Sequence, residues 1–270
     1  MSDDDAQQGF AEVNGTRLYY EARGRGPVLL FLHGFTLDLR MWTPQVEALA
    51  DRFRVVAYDA RGFGRSAVPG SAPYRHCDDA AALCAHLGLE RVVAVGHSIG
   101  AHQTLELAIE RPDLVAGWAS ICPAGLAGVP FPDEITAMFA AVRRAGLGGR
   151  LGEAREHWRH SGWFTADRET PAIAAALDEM IDDYSGWHWQ HDNPSKSIAP
   201  PAAERLGELR IPALVVAGGH DLPYTGVVAS RLVDGIRGAT ALHLPQAGHM
   251  ANLEEPAAVN AALAALASRA

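Results

Sequence analysis

Short continuous runs of apolar residues alternate along the chain with longer segments in which apolar residues recur at helical spacing. A strand that is buried on both faces needs apolar side chains at successive positions, so the runs predict strands of a largely parallel sheet. The segments between them, such as SIGAHQTLELAIER (98–111), predict helices on both faces of that sheet, and the predicted fold is therefore α/β. The runs are VLLFLHG (28–34), RVVAYD (54–59), RVVAVG (91–96), VAGWASIC (115–122), IPALVVAGG (211–219) and ATALHLP (239–245).

The N-terminal segment FAEVNGTRLYYEA (10–22) has a different pattern, in which apolar and polar residues alternate on both sides of Asn14-Gly15. An Asn-Gly pair tolerates the left-handed backbone of a tight turn, so the segment predicts a β-hairpin. Residues 1–8, MSDDDAQQ, carry three adjacent acids and no basic segment followed by an apolar run. They do not predict a secretory signal, and we expect a short solvated tail.

The alternation of strands and helices is interrupted between about residues 123 and 210. No apolar strand run occurs there, whereas three stretches have helical spacing and are separated by breakers that contain glycine or proline. We therefore expect one α/β domain, formed by residues 1–123 and 210–270, into which residues 124–209 are inserted as helices. The three stretches are PDEITAMFAAVRRAG (132–146), RLGEAREHWRH (150–160) and PAIAAALDEMIDDYSG (171–186).

Composition limits the partners of the chain. The formal net charge is −9 and there is no run of Lys and Arg, which disfavours nucleic acid and anionic membrane surfaces as partners. The longest apolar stretches fall far short of the ~20 residues that a membrane-spanning helix needs. Cys77, Cys84 and Cys122 form neither a CxxC pair nor an even disulfide framework, which favours a cytoplasmic location. A small molecule is the expected partner, and a homodimer remains open.

Ser98 lies between Gly96 and Gly100, where a strand-like segment passes into a helix-like one. A sharp strand-to-helix turn needs glycines on both sides, because the backbone passes too close for side chains, and such a turn exposes the serine hydroxyl. A helix N-cap serine would also fit this position. A nucleophilic serine further needs a base that removes its proton and an acid that orients the base.

His249, in the loop after the strand at 239–245, and Asp221, after the strand at 211–219, are the predicted base and acid. The loops that follow parallel strands meet at one edge of the sheet, so both residues can approach Ser98. Other residues of suitable type lie mostly inside a predicted strand, inside a predicted helix or beyond the histidine loop. These competitors are His220, His243, Asp234 and Glu254.

The chain order of serine, aspartate and histidine, each on a loop after a strand, resembles that of the α/β-hydrolase superfamily. The segment YDARGFGRSAVP (58–69) also looks like the Asp-x-Arg-Gly-x-Gly-x-Ser signature of that superfamily, whose acidic and basic residues tie loops together. Two departures are small: Ala101 stands where a second glycine often follows the serine turn, and the acid is preceded by GGHD, in which Gly218 keeps the usual spacing. The resemblance implies that residues 124–209 form a lid over the site.

Two backbone N–H groups are expected to stabilise an oxyanion. Ile99 begins the helix after Ser98, where free N–H groups and the helix dipole favour an anion. The superfamily's His-Gly pattern after the first core strand implies the N–H of Phe35 as the second donor. His33, in the same motif, is expected to brace the loop rather than to transfer protons, and it is also a candidate pocket residue.

A serine in place of the aspartate used by related dehalogenases and epoxide hydrolases points to acyl transfer, so hydrolysis of a small carboxylic ester or lactone is the expected reaction. Carbon-carbon bond hydrolysis of diketone-type substrates, perhydrolase or haloperoxidase-like activity, and a non-catalytic receptor on the same fold stay open. No cofactor and no metal are expected, because the nucleotide, flavin and metal motifs are missing from the sequence. The expected aromatic pocket walls are Trp42, Trp163, Trp187 and Trp189.

Overall fold

The computed structural model describes residues 6–270, and residues 1–5, with the acids of the expected tail, lie outside the described part. Eight strands form one sheet in the order β1-β2-β4-β3-β5-β6-β7-β8. β2 is antiparallel to both of its neighbours, whereas every pair from β4 to β8 is parallel. The strands are β1 (Gln7–Val13), β2 (Thr16–Arg23), β3 (Val28–Leu32), β4 (Arg54–Tyr58), β5 (Val92–His97), β6 (Val115–Ile121), β7 (Ala213–Gly218) and β8 (Thr240–Leu244).

The predicted hairpin is formed by β1 and β2. Asn14 and Gly15 both have positive φ, 46° and 68°, as a type I′ turn requires. β1 already begins at Gln7, which pairs with Ala22. The expected solvated tail over residues 1–8 is therefore wrong for Gln7 and Gln8, because backbone pairing with β2 takes them into the sheet.

Helices surround the sheet, and the α/β fold predicted from the apolar runs is confirmed. All six runs form strands, and every residue of β5 and β6 is buried, as expected of strands covered on both faces. The helices are α1 (Thr43–Leu49), α2 (His76–His86), α3 (Ile99–Glu110), α4 (Asp133–Leu147), α5 (Leu151–Arg159), α6 (Pro171–Asp183), α7 (Trp187–Gln190), α8 (Ala202–Arg205), α9 (Pro223–Gly235), α10 (Ala251–Glu254) and α11 (Pro256–Ala267).

The chain between β6 and β7 contains α4 to α8 and no strand. α4, α5 and α6 coincide with the three stretches of helical spacing, and α4 packs against α5 and α7. One attachment to the rest of the chain is ionic: Arg40 pairs with Glu179 and Asp183 of α6, at 2.7 and 2.8 Å. Residues 124–209 are called the insertion below, and their division from the remaining chain stays a prediction.

The segment after β4 ties several loops together, as its resemblance to the superfamily signature implies. Asp59 accepts hydrogen bonds from the backbone N–H groups of Leu39 and Arg65, both at 2.8 Å. Arg61 forms a buried ion pair with Asp79 at 2.7 Å. These contacts hold the loops at the carboxyl edge of the sheet, where the candidate site lies.

Across residues 6–270, none of the helices combines the length and the apolar character that crossing a lipid bilayer requires.

We expect Gly100→Ala to destabilise the fold. A Cβ at Gly100, in α3, would lie against the carbonyl oxygen of His33 and 2.6 Å from that of Leu32, so helix and strand would have to separate. The expected loss in the free energy of unfolding is about 1–3 kcal/mol or more, measured by urea denaturation. Gly226→Ala, also in a helix but where the added Cβ would meet no heavy atom of residues 6–270 within 4 Å outside the adjoining backbone, is the matched control and should be neutral or slightly stabilising. Equal stability of the two variants would contradict the close-contact argument.

Candidate active site

Ser98 occupies the sharp turn between β5 and α3. Its φ of 53° and ψ of −121° lie in a region that non-glycine residues rarely adopt, at a cost of roughly 1–3 kcal/mol. A hydrogen bond from its N–H to the carbonyl of Ile121, 2.9 Å, fixes the turn to β6. Gly96 and Gly100 are needed here because a Cβ on Gly96 would collide with the backbone of Gly100. The turn therefore projects the serine hydroxyl from the carboxyl edge of the sheet.

The three residues predicted from sequence form one hydrogen-bonded chain. His249 Nε2 lies 3.0 Å from Ser98 Oγ, and His249 Nδ1 lies 2.7 Å from Asp221 Oδ2. The side chains of His249 and Asp221 are 4% and 1% exposed. Asp221 Oδ1 accepts the N–H of Leu222 at 2.7 Å, which orients the carboxylate. Nδ1 of His249 thus carries the proton towards Asp221, and Nε2 is free to accept the proton of the serine.

The protonation of His249 is controlled by its carboxylate neighbour. Burial disfavours the charged imidazole, but the charge and hydrogen bond of Asp221, together with the charges of Asp167 and Glu254, outweigh burial, so the pKa of His249 is raised above the usual 6.5. His97 behaves in the opposite way, because burial and the nearby His249 hold its pKa well below 6.5. Neutral His97 donates Nε2–H to the carbonyl of His249 at 2.8 Å. The site thus combines one basic imidazole with one neutral imidazole that supports its backbone.

The loop after β3 brings its backbone close to Ser98. A Cβ on Gly34 would lie 2.5 Å from Nδ1 of His97 and 3.3 Å from Cβ of Ser98, so only glycine fits there. Phe35, the next residue, lines the same cavity as Ser98 and Ile99. Ile99 is the first residue of α3, so its N–H has no carbonyl one turn earlier to bond. Phe35 and Ile99 stay the two predicted oxyanion donors: Ile99 follows Ser98 directly, and Phe35 follows Gly34, which lies against Ser98.

Thr36 connects the same loop to the insertion. Its hydroxyl donates to the carbonyl of Phe35 at 2.6 Å and accepts the indole N–H of Trp158 at 2.6 Å. Trp158 belongs to α5, so a helix of the insertion helps to set the orientation of the peptide beside the serine. Thr36 has a positive φ of 64°, which this pair of hydrogen bonds stabilises.

A cavity of about 330 Å³ lies between Ser98 and the insertion. Among residues 6–270, no Asp, Glu, Lys or Arg lines it. His188 lines one side, and its pKa is lowered to about 3, first by burial and then by His33, so this wall is neutral near pH 7. The aromatic walls are Phe35, Phe131, Phe139, Trp158, Trp163 and Phe164. The cavity is therefore suited to an apolar, uncharged group.

Of the predicted pocket residues, Trp163 lines the cavity, and its ring centroid lies 4.8 Å from that of His249. The other four need correction. Trp42 is fully buried beside Phe31, with ring centroids 4.8 Å apart, and belongs to the core. His33 braces its loop: Nδ1 donates to the carbonyl of Gly34 at 2.7 Å, and Nε2 accepts the N–H of Ala60 at 3.0 Å.

Trp187 and Trp189 also lie outside the cavity lining. Trp187 stacks on His191, with centroids 5.1 Å apart, and Trp189 packs edge-on against Tyr184 at 4.9 Å. Trp189 also covers Gly146 of α4: a Cβ added to Gly146 would lie 2.7 Å from the Cβ of Trp189. Both tryptophans therefore stabilise the packing of α7 within the insertion.

One cluster within residues 6–270 has the residue types and proximity of a metal site: Cys122, Asp221 and His249. Burial raises the pKa of the Cys122 thiol well above its usual value, and the thiol donates to the carbonyl of Gly248 at 3.5 Å. Nδ1 of His249 and the carboxylate of Asp221 are already bonded to each other. A metal would have to break both contacts, so these residues fit the hydrogen-bonded chain better than an ion.

Comparison with known proteins shows the family of the chain. A family model described as alpha/beta hydrolase fold matches residues 27–256. The chain belongs to this α/β-hydrolase family. A relative from Caulobacter sp. (strain K31), named "Putative carbamate hydrolase RutD", is 30% identical over 275 residues, which cover 91% of this chain and 94% of the relative.

Two solved structures of similar proteins extend the comparison. A thermophilic esterase from Thermogutta terrifontis has a TM-score of 0.80 at 27% identity, covering 96% of this α/β hydrolase and 97% of the esterase chain. The enol-lactonase from Burkholderia xenovorans LB400 has a TM-score of 0.78 at 28% identity, covering 96% and 100%. The resemblance inferred from the motifs is thus confirmed for the family and fold.

Several site residues of this α/β hydrolase were not predicted. Phe131, Phe139 and Phe164 are aromatic residues of the insertion with no sequence signal that separates them from its buried tryptophans. In the sequence, Glu254 is only a competitor for the place of the acid Asp221, although it follows His249 by five residues. No sequence motif marks Asp167. Both carboxyl groups contact the histidine loop.

We expect the imidazole of His249 to titrate above pH 6.5, and Asp221→Asn to lower its pKa, because the charge that favours imidazolium is removed. The measurement is an NMR pH titration with histidine labelled at the ring nitrogens. Asp113→Asn, which removes an exposed carboxylate paired with Arg111, is the control and should leave the titration of His249 unchanged. A pKa of His249 that is the same with and without Asp221 would contradict the electrostatic account.

Proposed function

We propose that the protein is a serine hydrolase that cleaves a small carboxylic ester or lactone through an acyl-enzyme. The observation that carries the proposal is the alignment of Ser98 Oγ, His249 and Asp221, with 3.0 and 2.7 Å between successive polar atoms, beside an apolar cavity. The family membership and the esterase and lactonase neighbours support the same class of reaction.

In the first step, His249 Nε2 takes the proton of Ser98 while Oγ forms a bond to the substrate carbonyl carbon. The carbonyl oxygen becomes an oxyanion, and the N–H groups of Phe35 and Ile99 donate to it. The carbon-oxygen bond of the ester then breaks, and the leaving alkoxide takes the proton from Nε2. Asp221 stays ionised throughout and stabilises the imidazolium between the two transfers.

In the second step, water attacks the acyl carbon while its proton moves to His249 Nε2. The same N–H groups stabilise the second oxyanion, and Ser98 Oγ leaves with the proton from Nε2. The products are a carboxylic acid and an alcohol, or one hydroxy acid from a lactone. This chemistry needs no cofactor, because every proton is carried by the serine, the histidine, water or the substrate.

The insertion is proposed to be the lid of this site. Its support is positional: Trp158, Trp163 and Phe164 come from the insertion and form walls of the cavity beside Ser98. The volume of about 330 Å³ lies at the lower end of the range for ligand sites, which favours a small acyl group. A carbamate carbonyl would react by the same steps, and the 30% identical relative makes carbamates a useful member of a substrate panel.

Ser98→Ala should abolish the hydrolysis of p-nitrophenyl esters, with a loss in kcat/KM of at least about a thousandfold, because no other group in the chain of hydrogen bonds can form the acyl-enzyme. Release of p-nitrophenol is followed spectrophotometrically, and a fluorophosphonate should add its mass to Ser98 in the parent protein. Ser120→Ala, which removes a buried hydroxyl that has no hydrogen-bond partner among residues 6–270, is the matched control and should retain activity. Turnover that persists without Ser98 would refute the serine mechanism.

Phe139→Ala should shift the acyl-chain preference towards longer esters, because Phe139 is a half-buried wall of the cavity. We expect the ratio of kcat/KM for an octanoate to that for a butyrate ester to rise by roughly tenfold. Phe10→Ala, at an exposed position of β1, should leave the ratio unchanged. If both variants kept the parent ratio, the cavity would not be the acyl site.

A further inference from the structure

The loop that carries His249 directs three consecutive backbone N–H groups at two carboxyl groups. The N–H of Gly248 donates to Glu254 at 2.5 Å. The N–H groups of His249 and Met250 donate to the two oxygens of Asp167, at 3.3 and 2.6 Å. The backbone on both sides of the predicted base is therefore held by acids that take no part in the mechanism above.

Asp167 comes from the insertion, 82 residues before His249. It is completely buried, and within residues 6–270 no Lys or Arg pairs with it. An ion in such a place is costly unless it is well hydrogen-bonded or faces opposite charge. Asp167 accepts hydrogen bonds from two backbone N–H groups of the histidine loop, and its carboxyl group also interacts with the charge of His249 and with the carboxyl group of Glu254.

Glu254 completes the arrangement beside Asp167. Burial, followed by the charge of Asp167, raises the pKa of Glu254 to about 7. Burial raises the pKa of Asp167 as well. The negative charge of this pair of carboxyl groups favours protonated His249 in addition to that of Asp221.

We propose that Asp167 is a positioning residue: it is the insertion's contribution to the alignment of His249, so that the imidazole is fully oriented only when the insertion is seated on the sheet. This inference rests on the proposed serine hydrolysis. Asp167 does not touch the reacting atoms, and it acts through the peptide groups on both sides of His249. Gly248 allows this contact, because a Cβ there would lie 3.0 Å from Oδ1 of Asp167.

Every charged or titratable group that faces His249 enters the test. Asp221 approaches from the loop after β7 and Asp167 from the insertion, while Glu254 lies in α10. His97, the last residue of β5, is neutral, and the thiol of Cys122, after β6, is protonated. A change in the titration of His249 on removing Asp167 is therefore ascribed to the carboxyl pair, provided that Asp221 is intact.

The experiment compares Asp167→Asn, the double variant Asp167→Asn/Glu254→Gln and the control Asp182→Asn in steady-state hydrolysis of a p-nitrophenyl ester from pH 5 to 9. Asp182 is a solvent-facing carboxylate of the insertion that pairs with Arg159. We expect Asp167→Asn to lower kcat by about tenfold, the equivalent of one charge-assisted hydrogen bond, with KM within about twofold. The control should change neither constant.

The double variant gives the pH signature. Asp167 and Glu254 both favour protonated His249, so replacing both should move the acidic limb of kcat/KM to lower pH. Asp167→Asn alone should move it less, because Glu254 then ionises and keeps one charge in the cluster. A residue that served only to pack the insertion would alter stability without moving this limb.

Gly248→Ala keeps the proposal testable if the Asn variant does not fold. The added methyl group would lie 3.0 Å from Oδ1 of Asp167 and so displace this carboxylate without changing any charge. We expect kcat to fall several-fold while the acidic limb of the kcat/KM profile stays in place. The NMR titration of His249 needs no substrate and separates this inference from the proposed function. An unchanged titration in the double variant, or parent kcat in both Asp167→Asn and Gly248→Ala, would overturn the positioning role. A shifted titration in a protein that hydrolyses no ester would overturn the proposed function alone.

Discussion

The close contact between helix α3 and strand β3 is the constraint on which the rest of the site depends. Gly100 lies against the carbonyl groups of Leu32 and His33, so the start of α3 can approach the loop that carries Phe35. The same contact forces Ser98 into its strained backbone conformation, and the hydrogen bond to Ile121 keeps it there. Backbone packing thereby brings together Ser98, the N-terminus of α3 and the loop that carries Phe35.

The insertion contributes to the site as directly as the sheet does. The indole N–H of Trp158 donates a hydrogen bond to the hydroxyl of Thr36, next to Phe35, and Asp167 accepts a hydrogen bond from the backbone N–H of His249. Arg40 adds an ionic connection from the loop after β3 to α6. Both the oxyanion side and the base side of the candidate site are therefore held partly by residues that lie far away in sequence.

Much of the fold could be predicted because buried parallel strands are continuously apolar, and the loops after them carry Ser98, Asp221 and His249. The grouping of these three residues follows from sheet topology and needs no side-chain detail. The function of the tryptophans could not be predicted in the same way, because an aromatic residue in a core and one in a cavity wall have the same local pattern: Trp42 is core and Trp163 is wall. Asp167 could not be found because its partners are backbone groups 82 residues away.

Burial gives His188 and Asp59 opposite effects on the stability of the fold. The pKa of His188 is lowered to about 3, so between about pH 6.5 and 3 the unfolded chain binds a proton that the folded chain refuses, and acid weakens the fold. Burial raises the pKa of Asp59 to about 7, so between about pH 4 and 7 the folded chain keeps a proton that the unfolded chain releases, and acid strengthens the fold. Where these windows overlap, the two contributions oppose each other. The stability of the fold in mild acid thus depends on the balance between the buried histidine His188, which weakens it, and the buried carboxyl group of Asp59, which strengthens it.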